Sequence, residues 1–557
     1  MTRVLLVPTA TLIPPELQGD FGRIASCMIP FGGAPALQRI VEGYRADRRV
    51  VVAAHADASS IARYLEHREA DQISMVDVGA TRNLGETVLR ALEALGAWDG
   101  PLVVHFGDTL APGEELEGDA FLFARPHDLF RWTTFRLDSK GFPEHVLDKG
   151  IEKEGQGQVF IGVFSFAEAE RFRSCLAAAV ARPDADLDPF YRALVAYYQG
   201  SAHPPRARET AHWVDLGHLD TYYASRLVHA MGQREFNAVR VDASRGILTK
   251  RSRDRTKFLD EIQWYLGLPH DLQYLAPRVF AHSVDPADPW IEMEFYGYPP
   301  LADIYLYSRL DRTEWKAIFR VVEQVLSDMG RHPVAPADSA RIGAALQSMY
   351  LEKTIERLAR PGARDLPRDL MEGPLEVNGR PCLSLKRCLD QLPEALTSAG
   401  LLSPVPFTVI HGDFCLSNIL FDRRSRAIRL VDPRGRFGTF SIHGDPRYDL
   451  AKLSHSFNGG YDFLVHGLFA LTRTGPGRVQ LRLFEDEGHQ AVRDQFNQTF
   501  LASEELLRQV RGIEGLLFLS MVPLHSDDPR AQEAFLTRGL ELATTFLGCY
   551  PAPRPLG

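Results

Sequence analysis

Residues 4–106 alternate short apolar runs with amphipathic stretches. Val4-Leu-Leu-Val-Pro8, Arg49-Val-Val-Val-Ala-Ala54, Met75-Val-Asp-Val78 and Leu102-Val-Val-His-Phe106 are brief and β-prone, which predicts buried strands. Between them, 36–44, 58–68 and 86–95 carry apolar residues at helical spacing. Strands alternating with helices of this length predict a doubly wound α/β (Rossmann-like) sheet of mostly parallel order. Ligands of such sheets gather at the carboxyl ends of the strands. The loop after Val7, the turn 79–85 and Asp108 should therefore face one crevice.

Beyond a predicted closing helix at 219–231 the pattern changes. Residues 237–250 alternate as a hairpin turning at Ser244-Arg-Gly246, and 257–266 then read as a helix. Pro289-Trp-Ile-Glu-Met-Glu-Phe295 alternates as another strand. Helices follow at 312–329, 342–358 and 383–396, and short buried strands at 406–410, 418–421 and 428–431. Residues 505–547 are helical with one apolar face. This pattern predicts two domains, 1–232 and 233–550, meeting at Gly232-Gln-Arg-Glu-Phe-Asn237, and a disordered tail at 551–557.

Composition narrows the class. A chain of 557 residues with 45% hydrophobic and 24% charged residues can fill more than one core. The formal net charge of −9 argues against nucleic acid or an anionic membrane as partner. No run approaches the length of a membrane span, and the apolar start is too short for a signal peptide. The six cysteines are scattered without a C-x-x-C pair, so neither zinc nor a disulfide framework is expected. A soluble protein of the reducing cytoplasm fits, with a small molecule as its partner.

The chemistry concentrates in His411-Gly-Asp413-Phe-Cys-Leu-Ser-Asn418, followed by Leu430-Val-Asp432. Phosphoryl transfer needs a carboxylate to orient the attacking hydroxyl, and an amide and a second carboxylate to hold magnesium on the nucleotide phosphates. Asp413 is the candidate catalytic base; Asn418 and Asp432 are candidate metal ligands. This H-G-D-x4-N…D pattern resembles the aminoglycoside phosphotransferase and choline kinase family, relatives of the protein kinases, over roughly the second half of the chain. The resemblance implies a kinase-like α+β domain using ATP and Mg2+. It also implies that Lys250 and Glu261 grip the α/β-phosphates, that Glu292 and Phe295 lie where the hinge contacts adenine, and that Asp449 steadies the catalytic loop. No glycine-rich loop covers the phosphates; Glu235-Phe-Asn237 stands in its place.

The first half looks like a nucleotidyltransferase (sugar-nucleotide pyrophosphorylase) domain. Gly107-Asp108 matches that family's first metal aspartate and Asp215, in His212-Trp-Val-Asp215-Leu-Gly-His, its second. Met28-Ile-Pro-Phe-Gly-Gly-Ala-Pro35 leads into the first helix, Gly85 sits where the base is positioned, and Gln158 to Phe166 where the sugar or alcohol binds. Two carboxylates from distant loops can hold one magnesium across an α-phosphate while another phosphate attacks in line. The sequence departs from the pattern in three places. The first loop, Pro8 to Arg23, is long and poor in glycine; Ser26 replaces a lysine before Met28; and Ala34 replaces the lysine before Pro35. Arg23 and Lys149 are candidates to compensate.

Together the halves imply a bifunctional enzyme. One phosphorylates a hydroxyl of a sugar, polyol or amino-alcohol; the other couples that phosphate to a nucleotide from CTP, UTP or a similar triphosphate. The product would be an activated donor for surface polysaccharide. The alternatives are a kinase whose first half only binds substrate or regulates, and a silent binding protein. A choline-type acceptor would call for aromatic faces, with Trp264, Tyr296, Tyr298 and Tyr461 as candidates.

Overall fold

The computed structural model of the protein describes residues 3–44, 47–66, 73–98, 100–111, 116–126, 128–148, 157–182, 186–229, 237–242, 244–334, 339–360 and 366–548. The chain forms two compact units. The first comprises Met1–Arg226 with Tyr307–Arg309, the second Leu227–Leu306 with Leu310–Gly557.

The first unit is built on a nine-stranded sheet. Its parallel part runs Leu102–His105, Arg3–Thr9, Arg48–Ala54, Ile73–Asp77, in register from Val4 opposite Leu102 and Arg49. The first three are buried on both faces, and their near-continuous Val/Leu/Ala composition follows from that, whereas Ile73–Asp77 at the sheet edge is half-buried. The other half corrects the expectation of a mostly parallel sheet. Strand Gln158–Phe166 pairs antiparallel with Leu102–His105, Ala120–Ala124 and Thr134–Leu137. Pro143–Leu147 extends the edge, and Arg206–Glu209 adds parallel to Ala120–Ala124. Those strands are aromatic: Phe121, Phe135, Phe160 and Phe164 pack edge-on or stacked beneath helices Ala169–Val180 and Pro189–Gln199.

A register shift between Phe160 and Phe164 marks a bulge at Gly162, whose φ is +88° and whose carbonyl accepts Phe106 N–H at 2.9 Å. A Cβ at Gly162 would lie 2.6 Å from the Phe106 ring. Glycine is needed there both for the left-handed backbone and for the approach of the strand that leads to Asp108.

The second unit opens with a four-stranded sheet, Asn237–Asp242, Ile247–Ser252, Trp290–Glu294, Val279–Ser283, backed by helix Arg255–Gly267. Asp254 caps that helix by accepting Lys257 N–H. Next comes Arg312–Gly330, started by a capping box of Asp311 and Glu314. The predicted helix at 342–358 is in fact two α segments, Ser339–Leu346 and Lys353–Leu358, joined by a π-helical turn at Gln347–Glu352. Strand pairs Ile419–Asp422/Ala427–Leu430 and Thr408–Val409/His443–Gly444 carry the loop 411–418 between them.

Helices Glu504–Met521 and Pro529–Phe546 pack along each other, burying Phe518, Phe535 and Leu540. A small sheet, Arg380–Cys382, Leu375–Val377, Arg478–Leu483, Phe469–Gly475, covers one side of them. Pattern alone did not predict it, because its first two strands have three residues each and too few positions to show a period. Among the described residues no helix is long and apolar enough to cross a membrane, and the cysteines form no disulfide. The predicted tail, Lys149 and most of the predicted domain boundary, with Glu235 and Phe236, lie outside the described residues.

Candidate active sites

In the second unit the loop 411–418 is short and held by hydrogen bonds at several points. His411 is buried and neutral. Burial pushes its imidazole down to about 4, and its Nε2 faces the Val431 carbonyl at 3.1 Å while Nδ1 accepts Asp413 N–H. Asp449, in the first turn of helix Pro446–Phe457, accepts the N–H groups of His411 at 2.6 Å and Gly412 at 2.7 Å. Burial raises its carboxyl to about 7 against the pull of those two donors. One turn further along the helix, Lys452 reaches Asp413 Oδ1 at 2.8 Å. Burial would raise the Asp413 carboxyl, but the Lys452 ammonium overrides it and holds Asp413 well below the usual carboxylate range. Asp413 itself is half-buried, its carboxylate open to solvent from one side.

Asn418 Nδ2 donates to both the carbonyl and Oδ2 of Asp413, at 2.9 and 3.0 Å. That orientation turns the amide oxygen away from Asp413, as an oxygen ligand to a cation requires. Asp432 has φ of +56°, an unusual backbone for a residue with a Cβ. Its Oδ1 meets Lys250 Nζ at 2.7 Å, and the same ammonium meets Glu261 Oε1 at 2.7 Å. Lys250 is buried; desolvation works against its charge, and the two carboxylates outweigh that and raise its pKa. A lysine taken from a strand, a glutamate from a helix and an aspartate 182 positions later in the chain thus meet at one ammonium. Glu292 and Phe295 lie on and just beyond strand Trp290–Glu294. Thr249 donates to Glu292 Oε1 at 3.4 Å, and Phe295 N–H donates to Gly246 at 2.8 Å.

The aromatic residues do not form a box. Trp264 is fully buried, donates from its indole to Ile410 at 2.7 Å and packs edge-on to His411, so it is core rather than pocket. Tyr296 hydrogen-bonds Glu294 and lies under Arg429, with Tyr298 beside it. Tyr461 alone belongs to the Asp413 neighbourhood, stacked on His455. Sequence reasoning missed Lys452. Its signal was present, since a residue three after Asp449 on a helix shares that face.

In the first unit Asp108 and Asp215 converge. The two-residue strand Val214–Asp215 pairs antiparallel with Thr109–Leu110, and Leu216 N–H donates to the Asp108 carbonyl at 2.8 Å. Asp108 Oδ2 and Asp215 Oδ1 lie 2.9 and 3.2 Å from the point where a Cβ on Gly217 would stand. Glycine leaves that space open between two carboxylates, which is room for a cation shared with a phosphate. Asp215 Oδ2 also takes His218 Nδ1 at 2.7 Å, and that bond raises the imidazole pKa.

The triphosphate side differs from this convergence. Ser26 is buried and hydrogen-bonded to Thr9 at 3.0 Å, and Ala34 is buried in a short strand. The loop at 8–23 folds as helix Pro15–Phe21, burying Leu17 and Phe21, and Arg23 is exposed. Gly85 donates its N–H to Asp188 at 3.0 Å, and a Cβ there would meet Pro189 at 2.7 Å. Close packing against helix Pro189–Gln199 by itself demands glycine at 85. Among the described residues no three His, Cys, Asp or Glu side chains surround a common metal position.

The second unit thus brings together a buried lysine anchored by two carboxylates and an aspartate bonded to an asparagine amide, an arrangement able to hold a nucleotide's phosphates. In agreement, the family described as the phosphotransferase enzyme family matches residues 232–484. No curated protein matches the chain. Three solved structures are similar to its N-terminal part. A nucleoside-diphosphate-sugar pyrophosphorylase from Vibrio cholerae is 15% identical, covering 39% of this chain and 97% of that one, with TM-score 0.33. A putative glucose-1-phosphate thymidylyltransferase from Bacillus anthracis is 11% identical, covering 42% and 97%, with TM-score 0.34. The CTP:phosphocholine cytidylyltransferase of Streptococcus pneumoniae is 13% identical, covering 40% and 96%, with TM-score 0.32.

Proposed function

We propose that the second unit transfers the γ-phosphoryl group of ATP to a hydroxyl of a small polar metabolite, and that the first unit joins the resulting phosphate to a nucleotide. The observation that carries the kinase reading is Lys250 held between Glu261 and Asp432, with Asp413 bonded to Asn418 in the loop that precedes the Asp432 hairpin. Asp413 orients the acceptor hydroxyl; its oxygen forms a bond to the γ-phosphorus as the bond to the ADP oxygen breaks, and the proton passes to Asp413. Because Lys452 keeps Asp413 ionised, Asp413 is a weak base. It therefore positions the hydroxyl and takes the proton late, as a loose transition state allows. Asn418 and Asp432 would hold magnesium, which supplies positive charge to the nucleotide phosphates. Lys250 would bind the α/β-phosphates, with Glu261 fixing its ammonium, and Glu292 and Phe295 would flank the adenine.

In the first unit Asp108 and Asp215 would hold magnesium over Gly217, with Gly85 near the base. An activated donor for surface polysaccharide is the product this pairing of activities suggests. The buried Ser26 and Ala34, where cations for a triphosphate were expected, favour a second reading in which the first unit only binds substrate or regulates. Two experiments decide. Asp413→Asn should lower kcat of ADP release by about 10²-fold or more with ATP affinity kept, and unchanged turnover rejects the base assignment. Asp108→Ala or Asp215→Ala should abolish pyrophosphate release from the kinase product plus a nucleoside triphosphate, with phosphorylation intact. If the wild type releases none with any triphosphate, the second reading stands.

A further inference from the structure

The surroundings of Asp413 carry more positive charge than their carboxylates balance. Asp413 is matched by Lys452 and Asp445 by Arg447, while Lys250 is shared between Asp432 and Glu261. Three further cations remain around Tyr448. Lys353 Nζ donates to the Tyr448 hydroxyl at 3.1 Å and Arg434 Nη1 donates to the same oxygen at 3.3 Å. Arg357 stands one helical turn beyond Lys353 and donates to the Ser520 carbonyl at 3.2 Å. None of the three makes an ion pair with a carboxylate among the described residues, and all three are half-buried. Of the acids beside them in sequence, Glu356 pairs with Arg360 on the exposed side of its helix, and Glu352 is exposed and makes no ion pair with Lys353.

Local structure brings these charges to Asp413. The π-helical turn at Gln347–Glu352 puts an extra residue into the helix and re-aims the turn after it, which begins with Lys353. Arg434 N–H donates to the His411 carbonyl at 3.0 Å, and its Cβ lies 2.8 Å from where a Cβ on Gly412 would be, so its stem rests on the catalytic loop. Buried like charges without counter-ions are costly, and they occur where a ligand supplies the opposite charge. The electrostatics agree. Burial, with Arg434, Arg357 and Lys452, lowers the Lys353 ammonium well below its usual range, and Asp413 opposes that only in part.

Resting on the kinase reading, we infer that the acceptor of this site carries an oxyanion group, a phosphate ester in preference to a carboxylate, which Lys353, Arg434 and Arg357 bind while Asp413 orients its hydroxyl. Three cations suit a dianionic phosphate better than a single carboxylate charge, and two of them already converge on one hydroxyl oxygen. The same charges repel an amino-alcohol, and Trp264, buried and bonded, provides no face for one.

The test uses the full-length protein and matched acceptors: glucose, glucose 6-phosphate, glucuronate, glycerol, glycerol 3-phosphate and choline. ADP release is measured for each, and binding by calorimetry with ADP and magnesium present. The expected result is that phosphate esters bind at least about 10-fold tighter than their neutral parents. Lys353→Gln and Arg434→Gln should each weaken that binding by about 10-fold or more, with the KM for ATP kept. Preference for glucuronate over the phosphate ester would overturn the phosphate assignment. Equal binding of neutral and anionic partners, preference for choline, or phosphate-ester affinity unmoved by both variants would overturn the inference altogether. The kinase reading is checked separately: it fails if no acceptor of any charge raises ADP release above the Asp413→Asn background. The binding measurement decides the charge question in either case.

Discussion

Replacing Lys452 by methionine keeps the stem of the side chain and deletes the charge 2.8 Å from Asp413. In the folded protein that ammonium, not burial, sets the protonation of Asp413, because burial alone acts in the opposite direction. A charge-assisted hydrogen bond in a partly buried site is worth ~1.5–3 kcal/mol. The Asp413 side chain is 38% exposed, so solvent screens part of this and the lower end applies, ~1.5–2 kcal/mol, or about 1–1.5 pH units. The sign follows from the direction of the shift. A carboxylate whose folded pKa is depressed contributes stability above its unfolded pKa and loses it as pH falls through the folded one. Without Lys452 the folded pKa rises, so the acid limb of kcat/KM should move to higher pH by about 1–1.5 units or more. Measuring ADP release against pH for wild type and Lys452→Met, with the acceptor that turns over fastest, reads this directly. A variant whose rate falls uniformly while its acid limb overlays the wild type would refute the reasoning and make Lys452 a packing residue only.

Asp432→Ala and Asn418→Ala should each raise the magnesium concentration needed for half-maximal phosphoryl transfer; metal titrations that overlay the wild type would remove both from the metal site. Gly217→Ala places a methyl 2.9 Å from Asp108 Oδ2 and 3.2 Å from Asp215 Oδ1. It should cut pyrophosphate release by about 10²-fold with ADP release from the kinase step unchanged. Asp449, with a carboxyl raised to about 7, contributes stability that is complete below its unfolded pKa and is lost as pH rises toward 7. Denaturant melts at about pH 5 and pH 8 should therefore show wild type losing more stability than Asp449→Asn, and equal losses would rule out burial as the cause.

The parts of this protein legible in its sequence are those whose cause is local. The three inner parallel strands announce themselves through apolar runs, because burial on both faces leaves few polar positions to break them. His411, Asp413 and Asn418 stand within eight residues, and a loop that short can be recognised from order and spacing alone. Lys250 and Glu261, eleven positions apart, gained their meaning only from that loop. The antiparallel half of the first sheet was not legible, since strand pairing depends on partners tens of residues away and on a bulge at Gly162.

Tertiary structure alone decided three things. It brought Asp108 and Asp215 to one point through a two-residue strand pair, an interaction too short to leave a pattern. It placed Trp264 in the core, where its indole hydrogen-bonds the Ile410 carbonyl next to His411. It also gathered Lys353, Arg357 and Arg434 about Tyr448. Charges from separate segments add as fields in space, and a linear sequence records their identity but not their distance.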